Sequence, residues 1–405
     1  MMDQKASLLY YCQDSADAAH MCRVAALAGE LADRFSITVV AGWDIDQVER
    51  LPDGVEFLRL PEIDFDRGVD FDEKSGSEKF RARIIERRNV LLKHFSIVRP
   101  RVIIIEKFPF GDHFLQGEIL PVVERARYGI FGESLVISMT NGFVMSDRPD
   151  TERYEDRSAQ LLNKYFDLVL VDSDPVFARL EEFFQPPNRV ETPVYHVGFM
   201  VPGQSALELS QVNREGRILV SAGDGSFGGS LYRAAVEAQS TLWGSTRLPM
   251  TVICGNQLPD QEWRQLKRES DGVPAITIQR TMPNLKAAIA SSACSVSQCD
   301  YDTAINTICS RTPGLFIPSN GHDRLEQTIR AQRLVYWGAG RVLMPHHMNG
   351  ASLANEIHQL TKFAPRQINF DFNGISQTAN LIAQIVYENN FAPLSSGLST
   401  ESRLH

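Results

Sequence analysis

The sequence predicts an α/β protein built from two doubly wound, Rossmann-like domains that face each other across a cleft. Both halves alternate short continuous apolar runs, typical of buried parallel strands, with segments whose apolar residues recur at helical spacing. The 405 residues are more than one compact core holds, so two domains are expected. The predicted parts are a first domain over residues 1–202, a linker over 203–216, a second domain over 217–372, a helix over 373–390 that packs back on the first domain, and a flexible tail over 391–405.

The first half opens with a βαβ unit. Strand Ala6–Cys12, helix His20–Phe35 and strand Ser36–Gly42 follow one another with short turns, which predicts a right-handed crossover onto a parallel sheet. The strongest later strand is Arg101–Glu106. The charged, proline-containing segment Arg148–Arg157 is expected to be a loop.

The second half repeats this pattern. Strand Arg217–Ser221 leads through a glycine-rich turn into helix Ser230–Leu242. Further helices are predicted at Met282–Ser291, Tyr301–Cys309 and Arg324–Tyr336, with a strand before each. Such alternation favours a parallel sheet with helices on both faces and ligands at the carboxyl ends of its strands.

Composition and charge limit the classes of partner. Hydrophobic residues make up 43% and charged residues 22% of the chain, which is typical of a soluble globular protein. The net charge of -9 disfavours nucleic-acid binding, because a basic face is needed to neutralise phosphates. A basic cluster over residues 81–93 is interpreted as a solvated helix face, with a dock for an anionic lipid surface or an acidic substrate as the alternative.

Cysteines and apolar segments bear on the compartment. The six cysteines form no CxxC pair and have no zinc-like spacing, so we expect them to be reduced and buried. The N-terminus shows no signal-peptide pattern, and no stretch reaches the roughly 18 apolar residues of a spanning helix. A cytoplasmic protein is expected, with any membrane contact peripheral at the inner face.

The most informative local feature is the segment Ser221–Ser230, SAGDGSFGGS, between a predicted strand and a predicted helix. Glycines let the backbone turn sharply and approach a ligand, while free N–H groups and the helix dipole favour a phosphate. It lacks the Gly-Lys-Ser/Thr ending of a Walker A loop, and a glycine-rich turn that binds nothing is the alternative. The candidate ligand-binding residues are Gly223, Asp224, Gly225, Gly228 and Gly229.

A second candidate region follows two later strands. Asp302 and Thr303 begin a helix at the carboxyl edge of the sheet, and Asn306 lies on the same helix. Glu326 and Gln327 begin the next helix, where their side chains can hydrogen-bond ribose or sugar hydroxyls. The alternative is that Asp302 and Glu326 merely favour helix N-termini.

Three residues of the first half are candidates for catalysis. His20 follows the first strand and turn, where a neutral imidazole can act as general base toward an acceptor hydroxyl, unless its role is purely local. Glu106 ends a strand at a carboxyl edge and Glu118 lies on the next helix, so either can orient an acceptor. The histidines show no HExxH or other metal-binding pattern, so no metal site is predicted.

In this order, these elements resemble the MurG-like glycosyltransferases of the GT-B fold, and among them a bacterial branch of predicted glycosyltransferases. The similarity runs from the first strand to about Leu343. The matching elements are residues 15–20 with His20 and Arg23, the EKFPFG sequence of Glu106–Gly111 with Glu118, Asp174-Pro175 with Val194–Phe199, the loop Ser221–Gly229, and Glu326-Gln327 with Arg330-Ala331 and Gly338–Gly340.

The resemblance implies an inverting glycosyltransferase of cell-surface glycan or exopolysaccharide synthesis. A nucleotide-diphosphate sugar, a UDP-sugar first of all, would bind the second domain with its diphosphate on Gly223–Gly229 and with Thr303 and Gln327 nearby. A polysaccharide or lipid-linked acceptor would approach from the first domain, with His20 as the base. The family implies no metal or further cofactor. A partner glycosyltransferase or a second copy of the chain are the protein partners left open.

Three positions depart from the family's pattern. Asp17 lies where the family has a glycine-rich turn, and Thr140 lies in place of an arginine. Asn306 replaces the glutamate that grips the ribose, and a neutral amide forms weaker hydrogen bonds than a carboxylate. Two alternatives therefore stay open: a catalytically silent GT-B partner or regulator of a polysaccharide pathway, and a sugar-nucleotide epimerase of the same architecture.

Overall fold

The computed structural model describes residues 5–12, 18–42, 51–63, 78–111, 113–130, 132–144, 150–203, 212–214, 216–319, 321 and 324–388. Within these ranges no helix is both long and apolar enough to cross a membrane. The chain folds into two compact units. Among the described residues, the first unit holds 5–12, 21–202 and 373–388, and the second holds 203–372 together with residues 18–20 at the start of the first helix.

The first unit is built on a seven-stranded sheet in which every pairing is parallel, with the order β3-β2-β1-β4-β5-β6-β7. Its strands are β1 (Ala6–Tyr11), β2 (Phe35–Ala41), β3 (Glu56–Arg59), β4 (Val102–Glu106), β5 (Leu135–Asn141), β6 (Leu168–Asp172) and β7 (Val194–His196). Its helices are α1 (Ala18–Ala32), α2 (Glu78–Val98), α3 (Gln116–Arg127), α4 (Thr151–Tyr165), the short α5 (Leu180–Phe183) and, from the end of the chain, the C-terminal helix Gly374–Glu388.

Strand side chains alternate between two apolar layers. Leu9 and Tyr11 of β1 pack in the layer formed with α2, α3 and α4, whereas Leu8 and Tyr10 pack in the layer formed with α1 and the C-terminal helix. Tyr387 of that last helix donates a hydrogen bond to the carbonyl of Arg34 at 2.8 Å. The C-terminal helix is thus part of the core of the first unit.

The second unit has a six-stranded, all-parallel sheet with the order β10-β9-β8-β11-β12-β13. Its strands are β8 (Ile218–Ser221), β9 (Met250–Ile253), β10 (Ile276–Gln279), β11 (Cys294–Gln298), β12 (Gly314–Ile317) and β13 (Gly340–Val342). Its helices are α6 (Gly229–Thr246), α7 (Asp260–Glu269), α8 (Leu285–Ser291), α9 (Tyr301–Cys309), α10 (Arg324–Tyr336) and α11 (Gly350–Leu360), so the C-terminal helix is α12. In both units the strand order reverses beside the first strand, as in doubly wound folds, which confirms the predicted α/β class.

Several predicted boundaries are wrong for local reasons. Residues 151–157 of the expected loop Arg148–Arg157 are helical, because α4 begins at Thr151 with acidic Glu152 in its first turn, where the helix dipole favours negative charge, whereas residues 148 and 149 lie outside the described residues. Helix α1 ends at Ala32, and Phe35 begins β2 instead of closing the helix. Helix α8 starts at Leu285 rather than Met282, because the Asn284 side chain accepts the Ala287 N–H and caps the helix.

Three elements, the short α5, β13 and α11, were not predicted at all. Helix α11 has a readable signal, since Asn349 and Ser352 form a reciprocal capping box before apolar residues at helical spacing. Strand β13 has only three residues, and its identity depends on pairing with β12. A strand this short carries too little periodicity to be recognised from sequence.

A buried ion pair joins α2 to α3 beneath the first sheet. Arg87 donates from Nε to Glu118 Oε2 at 2.6 Å and from Nη2 to Glu118 Oε1 at 2.9 Å, and both side chains are fully buried. Tyr11 of β1 donates to Glu118 Oε1 at 2.5 Å, and Arg87 Nη1 donates to the Pro61 carbonyl at 2.9 Å. The charges compensate each other in a two-pronged geometry, which is the condition for a buried ion pair to be tolerated.

Arg87→Met is expected to lower the free energy of unfolding of the first unit by about 3–5 kcal/mol, because it leaves the Glu118 carboxylate buried without its cation. The double variant Arg87→Met/Glu118→Leu is expected to recover most of this loss. Urea unfolding followed by far-UV circular dichroism measures both changes.

The exposed pair between Arg83 and Glu86 on the same helix, with 2.7 Å between Nη1 and Oε2, provides the control. Arg83→Met is expected to cost at most about 1 kcal/mol, because solvent screens the exposed charges. A similarly small loss for Arg87→Met would contradict the structural role of the buried pair.

Candidate functional site

The carboxyl edge of the second sheet collects the predicted ligand-binding residues. Strands β8, β11 and β12 are neighbours in the sheet and parallel, so the segments that follow them leave from the same edge. The glycine-rich loop follows β8, α9 follows β11 and α10 follows β12. The structure therefore brings together, along this edge, Gly223, Asp224, Gly225, Gly228, Gly229, Asp302, Thr303, Asn306, Glu326 and Gln327.

The glycine-rich loop packs backbone against backbone on the segment after β9. Gly225 has φ +94°, and a Cβ at that position would lie 1.9 Å from the Cys254 carbonyl oxygen. Gly255 has φ +72°, and its Cβ would lie 2.0 Å from the Asp224 carbonyl oxygen, which also accepts the Gln257 N–H at 2.9 Å. Only glycine fits at both positions, so their role in shaping the loop is steric.

Helix α6 begins at the end of this loop without a side-chain cap. Gly228 occupies the N-cap position, and within the described part of the chain no side chain caps the first N–H groups of the helix. A Cβ on Gly228 would lie 2.3 Å from the ring of Tyr232, whose hydroxyl donates to the Cys254 carbonyl at 3.0 Å. The uncapped N–H groups and the helix dipole give this terminus a capacity for an anion such as phosphate.

Helix α9, in contrast, carries its own cap. Asp300 accepts the Thr303 N–H at 2.8 Å through Oδ1, whereas its Oδ2 is buried and has no hydrogen-bond partner among the described residues. Burial raises the pKa of the Asp300 carboxyl to about 6, and the neighbouring Asp302 adds to the shift. Thr303 and Asn306 are themselves buried on this helix.

Helix α10 orders the edge through two buried side chains. Gln327 Oε1 accepts the N–H of Cys299 at 3.1 Å and the N–H of Ser319 at 2.9 Å, which ties the ends of β11 and β12 together. Arg330 donates to the Cys299 carbonyl at 2.6 Å and pairs with Glu326 one turn earlier. Glu326 and Gln327 thus hold the edge together, a use that was not predicted from the sequence.

The predicted catalytic carboxylates of the first unit are not brought together. Tyr10 and Tyr11 are adjacent on β1 and point to opposite faces of the sheet. Tyr10 donates to Glu106 Oε1 at 2.5 Å, and Tyr11 donates to Glu118 Oε1 at 2.5 Å. With Arg87 also bound, the geometry of Glu118 favours a structural role over the orientation of an acceptor.

The positions of Glu106 and His20 agree better with a catalytic role than the position of Glu118 does. Glu106 is buried at the carboxyl end of β4, next to the switch point of the first sheet. Burial and the Glu106 charge raise the pKa of Tyr10 well above its ordinary value, so Tyr10 remains a neutral donor to this carboxylate. His20 is buried in the first turn of α1. Asp17, which departs from the family's pattern, lies outside the described residues.

Further features of the site were not predicted from the sequence. Asp300 had a readable signal, because an aspartate directly before a predicted helix is a common N-cap. The partnership of Gly225 with Gly255 and of Arg330 with Cys299 had none, because each joins residues that only the fold brings together. Among the described residues, no group of three or more His, Cys, Asp or Glu side chains is arranged to hold a metal ion.

Residues 218–385 match the family model described as the glycosyltransferase family 28 C-terminal domain. This segment contains the glycine-rich loop, α9 and α10. No curated protein matches the chain in sequence.

Solved structures share the architecture of nearly the whole chain. The calicheamicin glycosyltransferase CalG4 has a TM-score of 0.59 at 16% identity, covering 96% of this chain and 95% of its own. MurG of Acinetobacter baumannii has a TM-score of 0.55 at 14% identity, covering 93% and 99%. A candidate UDP-N-acetylglucosamine 2-epimerase from Listeria monocytogenes has a TM-score of 0.61 at 12% identity, covering 95% and 98%. At these identities the likeness establishes the GT-B fold alone.

Gly225→Ala is expected to lower the free energy of unfolding of the second unit by about 1–3 kcal/mol, because the new Cβ meets the Cys254 carbonyl and the positive φ is strained. Urea unfolding monitored by tryptophan fluorescence measures the change, since Trp243, Trp263 and Trp337 all belong to this unit.

Gly244→Ala is the matched control, because a Cβ at this position of α6 meets nothing within 4 Å. It is expected to leave stability unchanged or to raise it by up to about 1 kcal/mol. If the two variants lost equal stability, the close packing at Gly225 would not be the cause.

Proposed function

We propose that this chain, whose residues 218–385 form a glycosyltransferase family 28 C-terminal domain within a GT-B architecture, is an inverting glycosyltransferase. It moves a sugar from a nucleotide-diphosphate donor, a UDP-sugar first of all, to a polysaccharide or lipid-linked acceptor of the cell surface. The donor binds the carboxyl edge of the second sheet.

The uncapped N-terminus of α6 is the observation that carries this proposal. Its first N–H groups have no side-chain cap among the described residues, and the preceding loop contains Gly223, Gly225 and Gly228, which let a ligand approach the backbone. Two buried hydroxyls without a hydrogen-bond partner in the described part of the chain, those of Ser221 and Ser297, lie on β8 and β11 and are register partners. Because buried polar atoms are nearly always paired, these two hydroxyls are available to hydrogen-bond a polar ligand close to this edge.

The proposed reaction is a direct displacement. His20 takes the proton of the acceptor hydroxyl while the acceptor oxygen forms a bond to the anomeric carbon. The bond from that carbon to the diphosphate oxygen breaks, and its electron pair leaves with the diphosphate. The N–H groups of α6 stabilise the added negative charge, and preorganised electrostatic stabilisation of this kind is a large contribution to catalysis in many enzymes.

A catalytically silent partner of another glycosyltransferase is the second candidate. The acidic Asp224 and Asp300 beside a site for a diphosphate favour it, and so does Asn306 in the place of the family's glutamate. A sugar-nucleotide epimerase is the third, since the Listeria protein shares the architecture.

A thermal-shift screen with UDP-, GDP- and TDP-sugars tests the proposal. One nucleotide sugar at about one hundred times its dissociation constant is expected to add about 2.7 kcal/mol to the stability of the folded protein. Gly225→Ala is expected to weaken this effect, and Gly244→Ala to keep it.

Incubation of the same donor with glycan or lipid-linked acceptors then separates the candidates. Transfer of the sugar supports the proposal, and a changed sugar without acceptor supports an epimerase. Binding of no nucleotide sugar, together with a stable complex with an active transferase, would favour the silent partner.

A further inference from the structure

We propose that Asp300 makes donor binding in the second unit pH-dependent, as a positioning residue whose ionisation places a negative charge beside the glycine-rich loop. The inference rests on the proposed function and deepens it, since it describes how the same site is regulated. The two carboxyl oxygens of Asp300 have unequal surroundings.

Oδ1 of Asp300 is satisfied and Oδ2 is not. Oδ1 accepts the Thr303 N–H at 2.8 Å and caps α9, whereas Oδ2 is buried and has no hydrogen-bond partner among the described residues. A buried carboxylate oxygen without a donor is costly, while a neutral carboxyl keeps the capping bond through its carbonyl oxygen. The geometry therefore favours the protonated acid.

The charged and titratable groups around Asp300 come from three elements. Asp302, on the same helix, raises its pKa, and Arg330, on α10, lowers it. Arg330 compensates only in part, because its guanidinium also serves the Cys299 carbonyl and Glu326. Tyr232, on α6, feels the Asp300 charge, which contributes to raising the pKa of its phenol. Burial is the largest cause of the raised pKa of about 6 at Asp300, and the backbone and side-chain hydrogen bonds of Thr303 lower the pKa in part.

The surroundings of Asp300 reach the loop in two ways. Tyr232, whose phenol is influenced by the Asp300 charge, donates from its hydroxyl to the Cys254 carbonyl at 3.0 Å, at the point where the loop packs on the segment after β9. Gln298, two residues before Asp300, donates to the Phe227 carbonyl of the loop at 3.0 Å. An anion at Asp300 is therefore close to the place that the diphosphate is proposed to occupy, and the neutral acid removes that repulsion.

Protonation of Asp300 favours the folded protein and the bound diphosphate in the same direction of pH. The pKa of Asp300 in the folded protein, about 6, lies above its ordinary value of 3.8, so its favourable contribution is complete below that ordinary value and is lost as the pH rises through 6. A diphosphate that prefers the neutral acid binds more tightly at low pH, because binding then requires no additional protonation.

Isothermal calorimetry with the nucleotide sugar found in the screen, from about pH 5.5 to about pH 8, tests the inference. Its diphosphate is esterified at both ends and keeps its charge over this range. The wild-type protein is expected to bind about tenfold more tightly at the acidic end. Asp300→Asn keeps an oxygen that caps α9 but cannot ionise, so it is expected to bind with nearly the same affinity throughout.

Asp271→Asn, which removes an exposed carboxylate in the turn after α7 and outside the candidate site, is the control and is expected to keep the pH dependence. Equal pH dependence in the wild-type protein and in Asp300→Asn would overturn the inference while leaving the proposed function intact. A lack of any nucleotide-sugar binding at every pH would contradict the proposed function and the inference together.

Thermal unfolding without a ligand measures the effect of the Asp300 charge on stability separately from its effect on donor binding. Asp300→Asn is expected to unfold at a temperature about 2–4 °C higher than the wild-type protein near pH 7, and this difference is expected to vanish below about pH 4. A difference that did not change with pH would show only a structural role for residue 300 and would overturn the inference.

Discussion

The parallel pairing of β8 with β11 is the constraint on which the candidate site depends. Register partners such as Ser221 and Ser297 place the ends of the two strands side by side. The chain turns after β8 into α6, which packs in the layer of Val220 and Val252, whereas Leu219 and Ile253 pack with α8 in the opposite layer. The glycine-rich loop, which follows β8, and the start of α9, which follows β11, therefore lie at the same edge of the sheet although they are far apart in the chain.

Polar contacts buried at this edge keep the separate segments in register. Gln327 bonds backbone groups after β11 and after β12, and Arg330 holds the Cys299 carbonyl. In the first unit, Arg87 and Glu118 have a comparable role between α2 and α3. In each case a buried polar side chain specifies a position that apolar packing alone leaves adjustable, because unpaired polar atoms in a core are costly.

The charges at this edge have opposite effects on the binding of an anion. The uncapped N-terminus of α6 attracts an anion, whereas Asp224 and Asp300 oppose one. The balance depends on protonation, since the pKa of Asp300 is raised to about 6 by its burial. A donor site at this edge would have an affinity that depends on the protonation of Asp300. The backbone geometry of the glycine-rich loop does not depend on that protonation.

The α/β class, most strands and helices, and the glycine-rich loop at Ser221–Ser230 were determined by the sequence itself, because apolar periodicity and clustered glycines are local properties. The three-residue β13 lacks such a signal, whereas α11 has one in its capping box. Only the tertiary structure decided that Gly225 packs on the Cys254 carbonyl and that Glu118 is held by Arg87. These contacts join residues far apart in the chain, and their partners depend on strand order, which no local pattern specifies.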